Sequence, residues 1–303
     1  MLAMLEAGIK VERYVAFEID KYAVYTSSYN FPMIEHSGDV FYADFTEFRG
    51  FDFLVGGSPC TYWSIAQQNN RETEASGMGW ELFSQYVRAL HEAQPLFFIY
   101  ENNKSMSSAI RESITEAFGF EPICINSALV SAQNRQRLYW VGKRNADGTY
   151  SRVNVEQPYD CGILLCNILD GVGVLPVNAT CDGKARTLRA TCYKDGIRNM
   201  VGNEVDRKTC VAEPVDYKFC DRSTIKVYEV KGGQITINGK QYSIELADGF
   251  YLFRKLTVRE CMKLQTVPEW YEFPVSNTQA YKMLGNGWTV QVIVHLINAT
   301  QAN

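Results

Sequence analysis

The chain has 303 residues, of which 46% are hydrophobic, and its formal net charge is −4 at pH 7. A chain of this length can bury a sizeable core and form one large domain or two modest ones. No apolar run approaches the roughly 18 residues of a membrane-spanning helix, and the first residues do not form a secretory signal. We therefore expect a cytoplasmic protein without membrane contact.

The cysteines and histidines indicate neither disulfide bonds nor a metal site. The sequence contains nine cysteines without a Cys-x-x-Cys pair, and only three histidines, His36, His91 and His295. An odd number of cysteines argues against a disulfide framework, and three scattered histidines cannot complete a convincing zinc site. We expect reduced thiols and no metal.

A carboxylate follows the first predicted strand. Residues 1–7 resemble a helix that Gly8 ends, and residues 14–17 form an apolar strand that closes with Glu18 and Ile19. At this place in a dinucleotide-binding fold, a carboxylate accepts hydrogen bonds from ribose hydroxyls. An ordinary acidic residue at a helix N-terminus is the alternative interpretation of Glu18.

A thiol follows the second buried strand directly. Residues 51–55 are apolar and aromatic, the turn Gly-Gly-Ser-Pro ends this strand, and Cys60 comes next. Ligands bind beyond the carboxyl ends of strands in open α/β sheets, so a thiol there is placed for nucleophilic attack. The alternative is a buried structural cysteine, because free cysteines are among the most buried residues.

The next elements predict a doubly wound α/β fold. Residues 65–79 are polar and suit a loop over an active site. Helices are predicted at 80–93 and 106–118, and strands at 96–100, 122–126 and 138–142. The strand at 96–100 ends in Glu101 and Asn102, and Gln133, Arg135 and Arg137 precede the strand at 138–142. Such alternation of strands and helices is typical of a doubly wound sheet.

The texture changes after residue 150. Short β-rich runs and turn pairs, including Asn238-Gly239, predict tight hairpins in a small separate domain at 151–253. Residues 254–303 return to helical periodicity at 257–264 and 277–299, and we expect them to pack on a first domain formed by 1–150. Residues 183–208 carry seven basic and three acidic side chains, which suits either a phosphate-facing patch or a solvated surface.

The order of these short motifs resembles the DNA cytosine-5 methyltransferases. The resemblance rests on Pro59-Cys60, Glu101-Asn102 and Gln133-x-Arg135-x-Arg137, followed by Leu264-Gln265 and Gly285-Asn286-Gly287. It implies a Rossmann-like methyltransferase sheet with a small β-rich target-recognition domain. It also implies methyl transfer from S-adenosylmethionine to C5 of a flipped cytosine in double-stranded DNA, through a covalent cysteine adduct.

The resemblance implies a role for each matching residue. Cys60 would attack C6, Glu101 would bind the N3 and N4 edge of cytosine, Arg137 would contact O2, and Arg135 would support the loop and a neighbouring phosphate. The residues expected to bind the cofactor are Glu18, Ile19, Asp39, Val40, Pro59, Asn286 and Trp288. The residues expected to contact the DNA substrate are Ser64, Asn102, Gln133, Thr187, Arg189 and Lys194.

Two departures from the family pattern concern the cofactor pocket. Family members begin with a strand and a Gly-rich turn for the cofactor, whereas no glycine precedes Gly8, so we expect the true product to begin upstream. Trp288 also replaces a smaller residue. An RNA cytosine-5 methyltransferase acting on transfer RNA and a catalytically silent DNA-binding homologue are the rival functions. For the enzyme we expect a monomer of prokaryotic or phage type, with a cognate restriction endonuclease as candidate partner.

Overall fold

The chain forms two compact units, each built from strands and helices. A computed structural model describes residues 1–59, 62–64, 71–201, 208–216 and 226–302. Unit 1 comprises Met1–Asn126, Gln136–Pro158 and Gln291–Asn303, and unit 2 comprises Ser127–Arg135 and Tyr159–Val290. The predicted mixed α/β class is confirmed. Residues 254–290 lie in unit 2, although residues 254–303 were predicted to pack on the first domain.

Unit 1 contains a parallel strand pair and a larger mixed sheet. Its elements are α1 (Leu2–Glu6), β1 (Val15–Ala16), α2 (Lys21–Asn30), β2 (Glu35–His36), β3 (Phe53–Gly56), α3 (Gly77–Ala93), β4 (Phe97–Asn103), α4 (Ser108–Phe118), β5 (Ile123–Asn126), β6 (Gln136–Arg144) and β7 (Tyr150–Arg152). Strands β1 and β2 pair in parallel, and the larger sheet has the order β3-β4-β6-β5 with β7 on β6. Only β3 and β4 are parallel in that sheet, because β6 runs antiparallel to both β4 and β5.

Strand β4 is the buried centre of the larger sheet. Its residues Phe98 and Tyr100 are fully buried in an aromatic cluster with Trp140 of β6. Phe83 of α3 and Ile110 of α4 pack on the same cluster, which explains why both helices carry an apolar stripe. The polar end of β4, where Glu101 lies, therefore extends from a rigid apolar core.

Unit 2 contains an antiparallel sheet and the helices that follow it. Its elements are β8 (Leu175–Val177), α5 (Ile197–Met200), β9 (Cys210–Pro214), β10 (Tyr228–Lys231), β11 (Gln234–Ile237), β12 (Lys240–Ser243), β13 (Gly249–Arg254), α6 (Val258–Leu264) and α7 (Asn277–Asn286). The strand order is β12-β11-β10-β13-β9-β8. The predicted tight hairpin is confirmed: Asn238 and Gly239 have φ of 50° and 79°, as a type I′ turn requires.

The C-terminal helical stretch is interrupted, in contrast to the continuous periodicity predicted at 277–299. Helix α7 ends at Asn286, Gly287 is extended with φ −67° and ψ 165°, and α8 (Val290–Ala302) begins three residues later. Side chains donate hydrogen bonds to carbonyl oxygens at the break that have no partner within the helix. Arg135 donates to Gly287 O at 2.8 Å, and Gln265 donates to the same oxygen at 3.0 Å. The break is thus stabilised by polar side chains far away in sequence.

Gly142 sets how closely β6 can approach β4. It lies opposite Phe98, and a Cβ at this position would lie 2.2 Å from Cε1 of the buried Phe98 ring. We predict that Gly142→Ala destabilises the protein by about 1–3 kcal/mol, because overpacking forces a buried ring to move. The urea midpoint checks this. Gly196→Ala is the control, since nothing lies within 4 Å of its Cβ position. Equal midpoints for both variants would contradict the prediction.

Candidate functional site

A rigid turn leads from β3 toward Cys60. The hydroxyl groups of Ser58 and Tyr100 lie 2.7 Å apart, and Asn102 Nδ2 donates to Ser58 O at 3.2 Å. Gly57 is packed so closely that a Cβ would lie 2.5 Å from Glu101 O. The end of β4 therefore fixes the main chain up to Pro59. Cys60 itself, the predicted nucleophile, lies outside the described residues.

The hydrogen bonds of this turn use groups that stay neutral. Burial is the main reason why the pKa of Tyr100 is raised above its ordinary value, and the hydrogen bonds from Ser58 and Asn102 lower it only in part. Asn102 is fully buried. Asn102 was predicted to contact the substrate, but in the structure its side chain supports the turn before Cys60.

Glu101 and Arg137 form an ion pair at the end of β4. Arg137 Nε lies 2.9 Å from Glu101 Oε1, with the side chains of Arg137 and Glu101 only 13% and 11% exposed. Asn103 pairs with Arg137 in the antiparallel register of β4 and β6. Glu101 lies two residues before Asn103, so Glu101 and Arg137 point to the same face of the sheet. The structure thus brings together two of the predicted catalytic side chains.

The segment around Ser64 is held by an acidic and a basic side chain. Arg71 donates to Trp63 O at 3.2 Å and to Ser105 O at 2.6 Å. Glu72 accepts from the Trp63 indole at 3.1 Å. Ser64 is half-buried beside these contacts. Its contact with substrate remains a prediction.

Two carboxylates lie after the ends of the parallel strands β1 and β2. Glu18 follows β1 and accepts from the main-chain nitrogens of Ile19 and Asp20, both at 2.8 Å, while Asp39 follows β2 and accepts from Phe41 N at 3.0 Å. Ile19 next to them is 76% exposed. Carboxylates beside an exposed apolar side chain suit a nucleoside, with ribose hydroxyls as donors and a base against the aliphatic group.

Val40 and Pro59 complete the cofactor-binding residues predicted in unit 1. Val40 is half-buried at the start of a short 3-10 helix, Val40–Tyr42, and its carbonyl accepts from Arg88 at 2.8 Å. Pro59 is exposed at the end of the turn after β3. The other two predicted residues, Asn286 and Trp288, belong to unit 2, where Asn286 is exposed and Trp288 is half-buried.

Gln133 and Arg135 are buried in a polar network of unit 2. Arg135, 3% exposed, donates to Leu188 O at 3.0 Å, to Gly285 O at 3.1 Å and to Gly287 O. Because the Arg135 guanidinium donates to three carbonyl oxygens, it holds the main chain of those residues in place. The predicted contact of Arg135 with a phosphate therefore has no support in this geometry. The burial of Arg135 also means that it is not a solvated surface side chain.

Gln265 connects this network and was not assigned a role by the sequence analysis. Gln133 donates to Gln265 Oε1 at 3.2 Å and to Leu264 O at 3.1 Å, and its own Oε1 accepts from Leu188 N at 2.8 Å. Gln265 Oε1 also accepts from Thr289 at 2.9 Å. Because the side-chain amides of Gln133 and Gln265 are both buried, each of their donors and acceptors needs a hydrogen-bond partner inside the protein. The Leu-Gln motif was the available signal for Gln265.

The predicted DNA-contacting residues Thr187, Arg189 and Lys194 follow the basic residue Lys184. Thr187 is exposed and donates to Asn134 O at 2.5 Å, Arg189 is half-buried, and Lys194 is exposed in the 3-10 helix Cys192–Lys194. Lys184 is only 5% exposed. A buried ammonium group cannot face phosphate, so its place in a phosphate-facing patch is wrong.

A buried ion pair joins β13 to α6. Arg254 donates to both carboxylate oxygens of Glu260, at 2.8 and 2.9 Å, and Thr257 N donates to Glu260 at 2.7 Å. Glu260 is fully buried. Burial pushes its pKa upward, but hydrogen bonds from Arg254, Thr257 and Asp170 outweigh this effect and lower the pKa below its ordinary value. Glu260 is therefore held as a carboxylate.

Neither a membrane-spanning helix nor a metal-ligand cluster is found in the part of the chain that the structure describes. No helix there has both the length and the apolar character needed to cross a membrane. No three of the described His, Cys, Asp and Glu side chains cluster as metal ligands.

Comparison with known sequences gives one consistent family. The sequence model of the C-5 cytosine-specific DNA methylases matches residues 2–302. Type II methyltransferase M1.ScrFI of Lactococcus lactis subsp. cremoris is 29% identical over 302 residues, which cover 94% of this chain and 70% of that protein. Orphan methyltransferase M.SPRI of Bacillus phage SPR is 35% identical over 154 residues, which cover 47% of this chain and 34% of that protein.

Solved structures share the fold. A mutant of Spodoptera frugiperda DNMT2 superposes with a TM-score of 0.62 at 15% identity, covering 98% of this chain and 95% of that one. S. pombe Dnmt2 methyltransferase superposes with a TM-score of 0.55 at 15% identity, covering 98% of this chain and 92% of that one. The predicted Rossmann-like methyltransferase fold is therefore confirmed.

The Glu260 ion pair predicts a pH-dependent stability. Glu260→Gln should lower the free energy of unfolding by about 3 kcal/mol at pH 7, because Arg254 loses its buried partner. A lowered folded-state pKa stabilises the fold above the ordinary value of 4.5, and this contribution is lost as pH falls through the folded-state value. Urea unfolding from pH 7 to pH 3 should show the gap closing. The control Glu269→Gln removes an exposed ion pair with Arg259 and should change little. A gap that widens toward low pH would contradict the prediction.

Proposed function

Because the chain belongs to the C-5 cytosine-specific DNA methylase family and is thus a DNA cytosine-5 methyltransferase, we propose that it transfers a methyl group from S-adenosylmethionine to C5 of a flipped cytosine through a covalent adduct with Cys60. The observation that carries the site assignment is the Glu101–Arg137 ion pair. This pair lies beside the turn that holds Pro59, and Cys60 follows Pro59 in the sequence.

The reaction needs a nucleophile because C5 of cytosine reacts poorly with electrophiles. The Cys60 thiolate forms a bond to C6, and the electron pair of the C5–C6 double bond moves so that C5 becomes nucleophilic. After C5 has taken the methyl group, its proton passes to water, the C5–C6 double bond forms again, and the thiolate leaves. A free thiol has a pKa of about 8.5, so this role requires a surrounding that favours the thiolate.

Glu101 and Arg137 bind adjacent atoms on the same edge of the cytosine ring in this proposal. Glu101 takes the N3 and N4 edge and shares a proton at N3 while electron density builds in the ring. Arg137 donates to O2, for which the fork of a guanidinium offers donors in fixed directions. Their ion pair supports these roles, since each side chain orients the other before substrate arrives.

We propose positioning roles for three buried residues, Asn102, Gln133 and Arg135. We infer that Asn102 acts through the Ser58 turn, and that Gln133 and Arg135 act by fixing their own segment, as their bonds to main-chain carbonyls favour. Ser64 remains the candidate for a direct contact with the nucleotide. In this proposal the substrate therefore contacts few side chains. A larger number of buried side chains hold those few in position.

The donor of the methyl group fits the carboxylates after β1 and β2. S-adenosylmethionine, when bound, supplies an electrophilic methyl group. Glu18 would accept from its ribose hydroxyls and Asp39 from its adenine amino group, while Ile19 and Val40 cover the ring. Pro59, Asn286 and Trp288 are the further binding residues proposed. The exposed Ile19 beside two carboxylates supports this assignment.

Duplex DNA is the proposed partner. C6 of a stacked cytosine is inaccessible to a thiol, so the base must be flipped out of the helix. Thr187, Arg189 and Lys194 offer hydroxyl, guanidinium and ammonium donors for bases or phosphates. We infer a monomeric enzyme of the cytoplasm, with a cognate restriction endonuclease as its candidate partner, a setting that the similarity to a type II methyltransferase supports.

A duplex that contains 5-fluorocytosine tests the covalent mechanism. Fluorine at C5 cannot leave as a cation, so the methylated adduct should persist and migrate as a protein–DNA complex on a denaturing gel. We predict this band for the unsubstituted protein with S-adenosylmethionine and its loss in Cys60→Ser, together with at least a 1,000-fold lower rate of tritiated methyl transfer, on the order expected for a lost nucleophile.

The control is Cys166→Ser, because Cys166 is an exposed free cysteine of unit 2. It should form the adduct like the unsubstituted protein. Adduct formation by Cys60→Ser would remove Cys60 from its role, and tritium transfer to RNA but not to duplex DNA would overturn the proposed substrate.

A further inference from the structure

Lys184 is a buried cation whose donors are all occupied by main chain. Its side chain is 5% exposed, and Nζ donates to Ala128 O at 2.7 Å, to Ser131 O at 3.2 Å and to Ile163 O at 2.6 Å. A lysine is almost never fully buried unless it is paired, and an ammonium group has three donors. Three carbonyl acceptors account for all of them.

Two of these carbonyls belong to the segment that carries Gln133 and Arg135. Ala128 lies in the 3-10 turn Ser127–Leu129, and Ser131 lies two residues before Gln133. Carbonyl oxygens that converge on one point repel each other unless a donor lies between them, and hydrogen bonds to a charged donor are the strong ones. The ammonium group therefore fixes the course of the main chain just before Gln133.

The main chain after Lys184 holds the same segment further along. Ala185 N donates to Ala132 O at 2.7 Å, and Asn134 N donates to Ala185 O at 2.8 Å. Leu188 makes two further hydrogen bonds to this segment: its N–H donates to Gln133 Oε1, and its carbonyl oxygen accepts from Arg135. The side chain of Lys184 and the strand-like run that follows it thus hold residues 128–135 from one end to the other.

We propose that Lys184 is a positioning residue for methyl transfer, acting through the segment of Gln133 and Arg135. This inference rests on the proposed function and assigns a role that is distinct from phosphate binding. Without the ammonium group, the carbonyls of Ala128, Ser131 and Ile163 lose a charged donor that binds all three, and we expect the segment to open to water or rearrange. Gln133 and Arg135 then lose their fixed geometry, and with it the main chain that runs from Arg135 directly to Arg137 of the ion pair is held less firmly.

Lys184→Met tests this role, because methionine fills a similar volume without donors. We expect amide hydrogen exchange in peptides covering residues 128–135 to become at least tenfold faster. With duplex DNA, kcat should fall at least tenfold while KM for DNA stays within about threefold, since Lys194 lies in the separate 3-10 helix Cys192–Lys194, outside residues 128–135. A general loss of folding would instead speed exchange throughout the chain.

Lys263→Met is the matched control. Lys263 Nζ also donates to a carbonyl, Ile168 O at 3.2 Å, and to Asp170 at 2.6 Å, but none of these belongs to residues 128–135. It should leave exchange in that segment and kcat unchanged. If Lys184→Met does not fold, Lys184→Gln, which keeps two donors on one nitrogen, is scored by the same two measurements.

The outcomes separate this inference from the proposed function. Unchanged exchange at 128–135, or unchanged kcat, in a folded Lys184 variant would overturn the inference alone. Absence of methyl transfer by the unsubstituted protein would overturn the proposed function and the catalytic part of the inference with it. Faster exchange limited to the segment, together with the fall in kcat, supports it.

Discussion

The ion pair of Glu101 and Arg137 is the contact on which the proposed active site depends. The antiparallel register of β4 and β6 puts both side chains on one face, and the aromatic core below keeps that register. Low exposure strengthens the attraction between the two charges but makes either one costly to leave alone. A ring that offers its N3 and N4 edge to Glu101 and its O2 to Arg137 meets donors and acceptors that are already oriented, which is the preorganisation that transition-state stabilisation requires.

Buried side chains of unit 2 are also held in fixed positions by their partners. There, neutral and charged donors bind main-chain carbonyls. Gln133, Arg135, Lys184 and Gln265 are all at most 5% exposed, and their polar atoms bind carbonyls or each other. A fully satisfied buried network favours one arrangement of the chain, because every alternative leaves a buried group without a partner. The short helix break at Gly287 and the segment before β6 are both held in this way.

Local patterns in the sequence predicted the strands at β3 and β4, the helices that cover them and the hairpin at Asn238-Gly239, since periodicity and turn residues act over a few positions. They also placed Glu101 and Arg137 at neighbouring strand ends. They could not predict that Lys184 is buried or that Arg135 binds carbonyls, because the acceptors lie about 50 and 150 residues away in sequence. From sequence alone, long polar side chains are predicted to lie at the surface, because their partners in the folded structure are not known. For the same reason Asn102 was assigned to substrate rather than to the Ser58 turn.

A double-mutant cycle on the rate of methyl transfer tests most directly whether the ion pair acts as one unit. Glu101→Gln, Arg137→Met and the double variant are compared with the unsubstituted protein under single-turnover conditions at saturating DNA and S-adenosylmethionine. Each single change should slow transfer by about 100-fold or more. The account predicts that the double variant is only a few-fold slower than the slower single variant, because either change already disables the pair. Losses that multiply in full, or a single variant with an unchanged rate, would contradict it.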